Sequence, residues 1–213
     1  MSNTPVVVDI WLDALDASSY LALQSFRTAL SEDPHRNDFV VILHPFFGNN
    51  EGAVHQPEVS SEVVDLAARM GIRFSDGARQ GSESRAMQIL LAYGRELDEE
   101  RGDVRGADTL SLKLASALLR SRWEIGADLS NPETLVAVAQ DLQLDGSRVS
   151  AALKDGLLEE AVDEGSSMGL YLGITSAPLF LFGEQLVVEG VHDPEAFARI
   201  LESAWTYHQE QRG

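Results

Sequence analysis

The strand-forming segments of this 213-residue chain lie at its two ends, on either side of a long stretch with only helical patterns. Short apolar runs begin near Val6 and near Phe39, and the spacing between them predicts an amphipathic helix. Over residues 57–173 apolar residues recur at helical spacing, and no convincing strand pattern interrupts them. Strand patterns return after residue 176. Because the sheet must then be built from both ends of the chain, the helical block is an insertion between the second and third strands.

Turn and helix-cap residues define the last elements of this order more closely. The runs "APLFLFG" and "EQLVVEG" meet at Gly183-Glu184, a pattern that predicts a β-hairpin. Asp193 followed by Pro194 predicts the start of the last helix, since aspartate caps helices and proline suits their first position. The chain is therefore predicted to be an α/β protein with a mixed sheet of four strands and an all-helical insertion. The predicted domains are a discontinuous sheet domain, residues 1–56 and 174–213, and a helical insertion, residues 57–173.

Charge limits the partners of the chain. It has 34 acidic against 16 basic residues, a net charge of −18, which would repel nucleic acid and anionic membranes. Acidic clusters at residues 98–100 and 159–164 are typical of solvated helix faces. The N-terminus shows no signal peptide, and the apolar runs are far shorter than the roughly 20 residues that span a bilayer. These features predict a cytoplasmic protein that binds neither nucleic acid nor membranes.

Cysteine is absent from the chain. This absence excludes disulfides, thiolate metal ligands, cysteine nucleophiles and any dithiol redox cycle carried by the chain itself. The five histidines show no spacing typical of metal ligands, so no metal site is predicted.

The stretch "DIWLDALDASSYLAL", residues 9–23, passes from a buried strand directly into an amphipathic helix. Such turns are where many α/β proteins place a nucleophile or bind an anion. Asp16 stands just before the helix, where a capping side chain contributes about 0.5–2 kcal/mol. Leu15 and Tyr20 then occupy the positions of a hydrophobic staple. The residues favour a cap at Asp16, and chemistry at Asp16 and the two following serines stays open as the alternative.

Three segments together resemble the DsbA-like thioredoxin superfamily and, within it, the cytoplasmic FrnE-like branch. In place of "DIWLDALDASSYLAL" this family has a strand, a Trp-x-Asp motif, Cys-Pro-Trp-Cys and the first helix. In place of "LGITSAPLFLFGEQLVVEGVHDPEAF" it has Gly-Val-x-Gly-Val-Pro-Thr-Phe, a hairpin and a Gly-Ala-Gln turn. The segments "SRAMQILLAYGRE" and "LSNPETLVAVAQDLQLD" are similar to its helical insertion. The resemblance covers residues 6–205 and implies a thioredoxin-like fold.

By this resemblance, the two catalytic cysteines of the family fall on Asp16 and Ser19, with Ala17 and Ser18 between them. Disulfide exchange needs an attacking thiolate and a second thiol to resolve the mixed disulfide, and neither aspartate nor serine supplies one. The resemblance therefore implies a member of a dithiol-disulfide isomerase family without intrinsic thiol redox activity. Whether the chain is an enzyme of another kind stays open.

The resemblance also implies a binding groove beside the altered motif. Pro178 matches a cis-proline of the family, whose preceding residue pairs through its backbone with an extended peptide. The other residues that it places in the groove are Tyr20, Ser176, Ala177 and His192.

Three functional hypotheses follow from these residues. The first is a non-redox binding or chaperone-like protein that holds a peptide or small molecule in the former active-site groove, without a cofactor. The second is a glutathione-dependent isomerase or transferase, similar to the 2-hydroxychromene-2-carboxylate isomerases and kappa-class transferases, with Ser18 or Ser19 holding the thiol. Those relatives have serine where this chain has Asp16, whose carboxylate would repel a thiolate. The third is a vestigial site in a protein that acts through an interface, for example as a homodimer.

Overall fold

A computed structural model describes residues 4–46, 59–79 and 85–211 of the chain. The described elements run in the predicted order, with the helical block between the second and third strands. The strands are β1 (Val6–Leu12), β2 (Phe39–Pro45), β3 (Leu179–Phe182) and β4 (Leu186–Glu189). The helices are α1 (Ala17–Glu32), α2 (Ser61–Arg69), α3 (Arg85–Arg101), α4 (Leu110–Arg120), α5 (Pro132–Asp141), α6 (Gly146–Ala152), α7 (Gly156–Tyr171) and α8 (Pro194–Glu210).

The four strands form one mixed sheet in the order β2-β1-β3-β4. β1 pairs with β2 in parallel, and β3 pairs antiparallel with both β1 and β4. The β3–β4 hairpin has a three-residue loop, residues 183–185, in which Gly183 and Glu184 both have positive φ, 56° and 61°. The predicted α/β fold and its helical insertion are thus confirmed.

An aromatic cluster joins the sheet to the two helices that cover one of its faces. Phe26 of α1, Phe180 of β3 and Phe197 of α8 are fully buried. Their rings lie 4.8 to 5.7 Å apart between centroids. Such contacts add to the hydrophobic burial of the rings. They fix α1, whose first turn carries the altered motif, relative to the strand that follows the proline loop.

The other face of the sheet is covered by the end of α7. Gly169 lies so close to this face that a Cβ there would be 2.9 Å from Trp11 Nε1, which is why glycine suits the position. Trp11 packs with Phe46, Ile174 and Leu179 in a small second cluster. This packing positions residues 174–179, the loop that contains Pro178.

The predicted division into two domains stays a prediction. A single hydrophobic cluster includes residues from the sheet and from the inserted helices. The first predicted boundary, at residue 56, lies outside the described residues, as does Pro57, where the insertion was predicted to begin. The first described inserted helix, α2, begins at Ser61 with Ser60 as its cap.

The expectation that residues 98–100 form a solvated helix face holds for Glu99 and Glu100, which are exposed, and is wrong for Asp98, which is only 3% exposed. Its carboxylate accepts hydrogen bonds from the backbone N–H groups of Leu110 (2.6 Å) and Ser111 (2.8 Å) at the start of α4. The end of a neighbouring helix therefore replaces water as the partner of this carboxylate.

Candidate functional site

The turn between β1 and α1 has the cap that the sequence predicts. Asp16 has extended backbone angles, φ −102° and ψ 122°, and its carboxylate accepts the N–H of Ser18 at 2.9 Å. Leu15 and Tyr20, the two residues of the predicted staple, are both buried. Asp16 is thus a helix cap, as the interpretation of the sequence favours.

Ser19 stabilises the same turn from inside. Its side chain is fully buried, and its hydroxyl oxygen accepts the backbone N–H of Asp13 at 3.0 Å. Asp13 in turn accepts the N–H of Leu15 on its carboxylate at 2.8 Å. Because Ser19 is enclosed and already engaged, its role in the structure is to hold the turn.

The electrostatics of Asp16 reflect its partial burial. Burial raises the pKa of the Asp16 carboxyl above its usual value, and the hydrogen bonds from Ser18 and Ser19 lower it by less. Loss of hydration therefore outweighs the stabilisation that the helix cap gives to the charged form.

Tyr20 lies away from the groove to which the resemblance assigns it. Its side chain is only 1% exposed, and its hydroxyl donates a hydrogen bond to the carboxylate of Glu124, which also lies near Arg120. Burial, and next Glu124, raise the pKa of Tyr20 above the usual value. The side chain is held there because its hydroxyl finds a charged partner in the helical insertion.

The proline loop faces the first turn of α1. The Ala177–Pro178 peptide bond is cis, and the carbonyl of Pro178 accepts the N–H of Gly190 at 2.9 Å. Among the described residues, neither the N–H nor the C=O of Ala177 has a hydrogen-bond partner. Ser176, just before it, is exposed to solvent.

An open cleft of about 460 Å³ separates this loop from the start of α1. α1 contributes Ser18, and the start of α8 contributes Asp193 and Ala196. The remaining walls come from α2 and from the segments around the proline loop and the end of β4: Ser60, Glu62, Val63, Leu66, Arg69, Ala177, Pro178, Gly190, Val191 and His192. The structure thus brings Ser18, Ala177, Pro178 and His192 together, whereas Tyr20, Ser19 and Ser176 are not part of this lining.

His192 is held by two contacts at the edge of the cleft. Its Nε2 lies 3.0 Å from the backbone carbonyl oxygen of Glu189. Its ring meets the buried ring of Phe197 edge to face, at 5.8 Å between centroids and 87° between planes. A half-buried imidazole is thereby fixed beside the proline loop.

The wall formed by α2 was missed by sequence reasoning. The segment that contains Ser60, Glu62 and Arg69 has the pattern of an ordinary amphipathic helix, and nothing in it indicates a binding site. Their side chains reach the cleft because the insertion packs α2 beside α1, and no local pattern carries that information. The sequence does indicate the strand-to-helix turn, but this turn predicts only the wall of the cleft that α1 forms.

Within the part of the chain that the structure describes, no group of three or more histidine and acidic side chains lies close enough to hold a metal ion. No helix within residues 4–46, 59–79 and 85–211 has the length and apolar character needed to cross a bilayer.

Solved structures similar to this one combine the same fold with different activities. A probable DsbA oxidoreductase from Streptomyces coelicolor has a TM-score of 0.71 and 22% identity, covering 94% of this chain and 90% of the other. A 2-hydroxychromene-2-carboxylate isomerase has a TM-score of 0.69 and 20% identity, covering 97% of both chains. The cytosolic disulfide reductase DsbM from Pseudomonas aeruginosa, in its structure with GSH, has a TM-score of 0.70 and 15% identity, covering 94% of this chain and 99% of the other.

At this level of identity the similarities show a shared fold and do not show the activity of this chain. No curated protein matches the chain. The sequence profile of the DSBA-like thioredoxin domain, however, matches residues 7–202, nearly the whole length. The mixed sheet, the helical insertion and the cleft beside a proline loop agree with that match. The chain belongs to the family of DsbA-like thioredoxin domains.

Proposed function

We propose that this protein is a non-redox member of its family, which binds an extended peptide or a peptide-like small molecule in the cleft between α1 and the proline loop. With no cysteine in the chain, the thiolate and the resolving thiol of disulfide exchange are both absent. Aspartate and serine at the two motif positions cannot be oxidised to a disulfide. Binding is then the property that the remaining groups can support.

The observation that carries this proposal is the open cleft. Its volume of about 460 Å³ falls within the range of roughly 300–1,000 Å³ that is usual for small-ligand sites. The lining contains apolar side chains such as Val63 and Pro178 together with polar ones such as Ser18 and His192. Large side chains such as Tyr20 and Phe180 are instead buried in the protein core and leave the cleft open.

The backbone of Ala177 supplies the most specific support for a peptide ligand. Its N–H and C=O have no partner among the described residues, although Ala177 lies only two residues before the start of β3. A free donor and acceptor on one residue match the backbone of an extended peptide, which pairs through main-chain hydrogen bonds. A ligand of this kind would satisfy groups that otherwise depend on water.

Binding can be tested with two variants of one helix. Ala196 lines the cleft, whereas Ala198, two residues further along α8, is exposed to solvent. A panel of fluorescein-labelled, unstructured octapeptides would be screened against the pure protein by fluorescence anisotropy. We expect Ala196→Trp to fill the cleft and weaken the best binder at least about tenfold, the loss of roughly one well-formed interaction, and Ala198→Trp to leave its affinity unchanged.

Two outcomes would contradict the proposal. If no peptide of the panel binds, or if Ala196→Trp and Ala198→Trp bind equally well, the cleft is not the binding site. The first outcome would favour the alternative of a vestigial site.

A second assay tests the absence of redox activity: catalytic reduction of insulin by the pure protein would overturn the claim that thiol chemistry is lost. The cytoplasmic location and the homodimer stay predictions.

A glutathione-dependent isomerase or transferase is the second candidate, and the position of Ser18 favours it. Of the two serines considered for holding a thiol, Ser18 lines the cleft while Ser19 is enclosed and bonded to Asp13. Glutathione is itself a short peptide, so it would also suit the backbone of Ala177. Against this candidate stands Asp16, whose carboxylate would repel a thiolate at the same helix end.

Calorimetry with reduced glutathione separates the two candidates. If glutathione is the ligand, Ser18→Ala should weaken its binding about tenfold, as expected for loss of one hydrogen bond. Ser19→Ala serves as the matched control, because that hydroxyl does not reach the cleft. Absence of heat above dilution in the wild-type protein would remove this candidate and leave peptide binding untouched.

A further inference from the structure

We infer that His192 selects the ligand of the cleft by accepting a hydrogen bond on Nδ1 from an N–H group, such as a peptide amide. This inference rests on the proposed function, because it assigns a recognition group to the same cleft. It makes His192 a specificity-determining residue.

The contact with Glu189 determines the tautomer of His192. A carbonyl oxygen can only accept a hydrogen bond, so at 3.0 Å the Nε2 of His192 must carry the proton. In a neutral imidazole the other nitrogen then bears a lone pair and acts as an acceptor. Nδ1 is therefore the acceptor of this ring.

The packing of the ring fixes its plane, and the hydrogen bond to Glu189 fixes which edge of the ring faces that carbonyl. One side meets the ring of Phe197, which is fully buried and part of the aromatic cluster. Turning the imidazole over by 180° would keep the ring plane and the contact with Phe197, but it would put a carbon in the place of Nε2 and break the hydrogen bond to Glu189. Among the described residues, Nδ1 has no hydrogen-bond partner, so its lone pair is available to a ligand.

Other acceptors of the cleft differ from His192: Glu62 is an exposed, flexible carboxylate, and the carbonyl of Ala177 belongs to the backbone. Asp193, the neighbouring acceptor, already accepts the N–H of Ala196 at 2.8 Å as the cap of α8. Ser18 can donate as well as accept, and Arg69 can only donate. His192 is thus an acceptor with a fixed direction, and it favours an amide N–H over a carboxylate, which at neutral pH has no proton to donate.

Two simple amides provide a direct test in the protein as it exists. N-methylacetamide carries the N–H of a peptide bond, and N,N-dimethylacetamide has nearly the same shape without that donor. In ¹⁵N NMR spectra of the histidine rings, we expect His192 as the Nε2–H tautomer, and its Nδ1 resonance should shift on titration with N-methylacetamide only. A proton on Nδ1 in the free protein, or equal shifts with both amides, would overturn the inference.

A pair of substitutions tests the same point with the best peptide of the panel. The side-chain amide of His192→Asn reaches the position of Nδ1, whereas that of His192→Gln reaches the position of Nε2 and can keep the contact with Glu189. We expect His192→Gln to lose about tenfold in affinity, the equivalent of one hydrogen bond, and His192→Asn to lose less. Equal losses in two variants with unchanged melting temperature would contradict a role for Nδ1.

Failure of this inference can be distinguished from failure of the proposed function. If peptides bind and depend on Ala196 while the two amides act alike, the cleft is a binding site and His192 is not its selector. If only N-methylacetamide shifts Nδ1 but no peptide binds, the role of His192 is supported and the proposal of a peptide ligand is contradicted.

Discussion

The first turns of α1 and α4 are both stabilised by an aspartate, but they leave different possibilities for function. At α4, Asp98 comes from another helix and accepts the N–H groups of Leu110 and Ser111, while Thr109 accepts that of Leu112 at 3.4 Å. At α1, Asp16 is the cap itself and accepts the N–H of Ser18. The first end is enclosed by protein, and the second opens on a cleft.

Under the proposed function, this difference explains how the fold could lose its thiol chemistry and keep a binding site. A helix end whose donors are all satisfied by buried groups contributes only to stability. At α1, the side chains of the altered motif divide the work: Asp16 and Ser19 hold the turn, and Ser18 remains at the cleft.

Asp98→Ala should lower the free energy of unfolding the most, by about 3 kcal/mol, because it leaves two buried N–H groups without acceptors. Urea denaturation followed by circular dichroism measures this change. The neighbouring Glu99, which is largely exposed, provides the control, and Glu99→Ala should change stability by less than about 0.5 kcal/mol. Equal effects of the two variants would show that the end of α4 is not enclosed as described.

Tyr20→Phe should cost about 2 kcal/mol, since it removes a buried hydrogen bond to the charged Glu124. The same denaturation experiment measures it, with Tyr207→Phe, at a tyrosine that is 43% exposed, as the control. Peptide binding should be unaffected by Tyr20→Phe. A loss of affinity without loss of stability would instead place Tyr20 in the binding groove.

Ser19→Ala should cost about 1 kcal/mol, because the N–H of Asp13 loses its acceptor inside the turn. Ser18→Ala should stay within about 0.5 kcal/mol, since Ser18 lies at the open cleft, where water can replace the hydrogen bond of its hydroxyl to Asp16. Thermal melts of the two variants measure the difference. The reverse order would mean that the two serines have exchanged the roles assigned to them.

Asp16→Asn should have the smallest effect, and its sign should depend on pH. Asparagine caps helices about as well as aspartate, and burial raises the pKa of Asp16 above the usual 3.8. Below that usual value, both folded and unfolded chains hold the proton, so the raised pKa stabilises the wild type fully. As pH rises, the unfolded chain releases the proton first, and this stabilisation is lost on passing through the folded pKa. Asp16→Asn should therefore gain stability relative to wild type between about pH 3 and neutral pH. Unfolding curves measured across that range would contradict the raised pKa if the variant became less stable relative to the wild type as the pH rose.

The sequence predicts the architecture well because its signals are local. The hairpin at Gly183 and Glu184 and the caps at Asp16 and Asp193 each depend on a few neighbouring residues, and all of them form. The loop also includes Gln185, which follows the predicted turn residues and does not pair in β4.

The site is less predictable because its groups are brought together from distant parts of the chain. Tyr20 and Glu124 are 104 residues apart, and nothing near Tyr20 indicates that its hydroxyl turns towards the insertion. Asp98 has the sequence of an exposed acidic cluster and the environment of a buried cap. The α2 wall with Arg69 depends in the same way on how the insertion packs.

The central claim is that a chain without cysteine keeps a working ligand site at the start of α1. Mapping the backbone amide shifts by NMR during titration with the best octapeptide tests it most directly. We expect saturable shifts at Ser18, Ala177 and His192, with none at Leu110 and Ser111, where the helix end is closed. Absence of saturable shifts at the cleft, or shifts that appear only elsewhere, would contradict it.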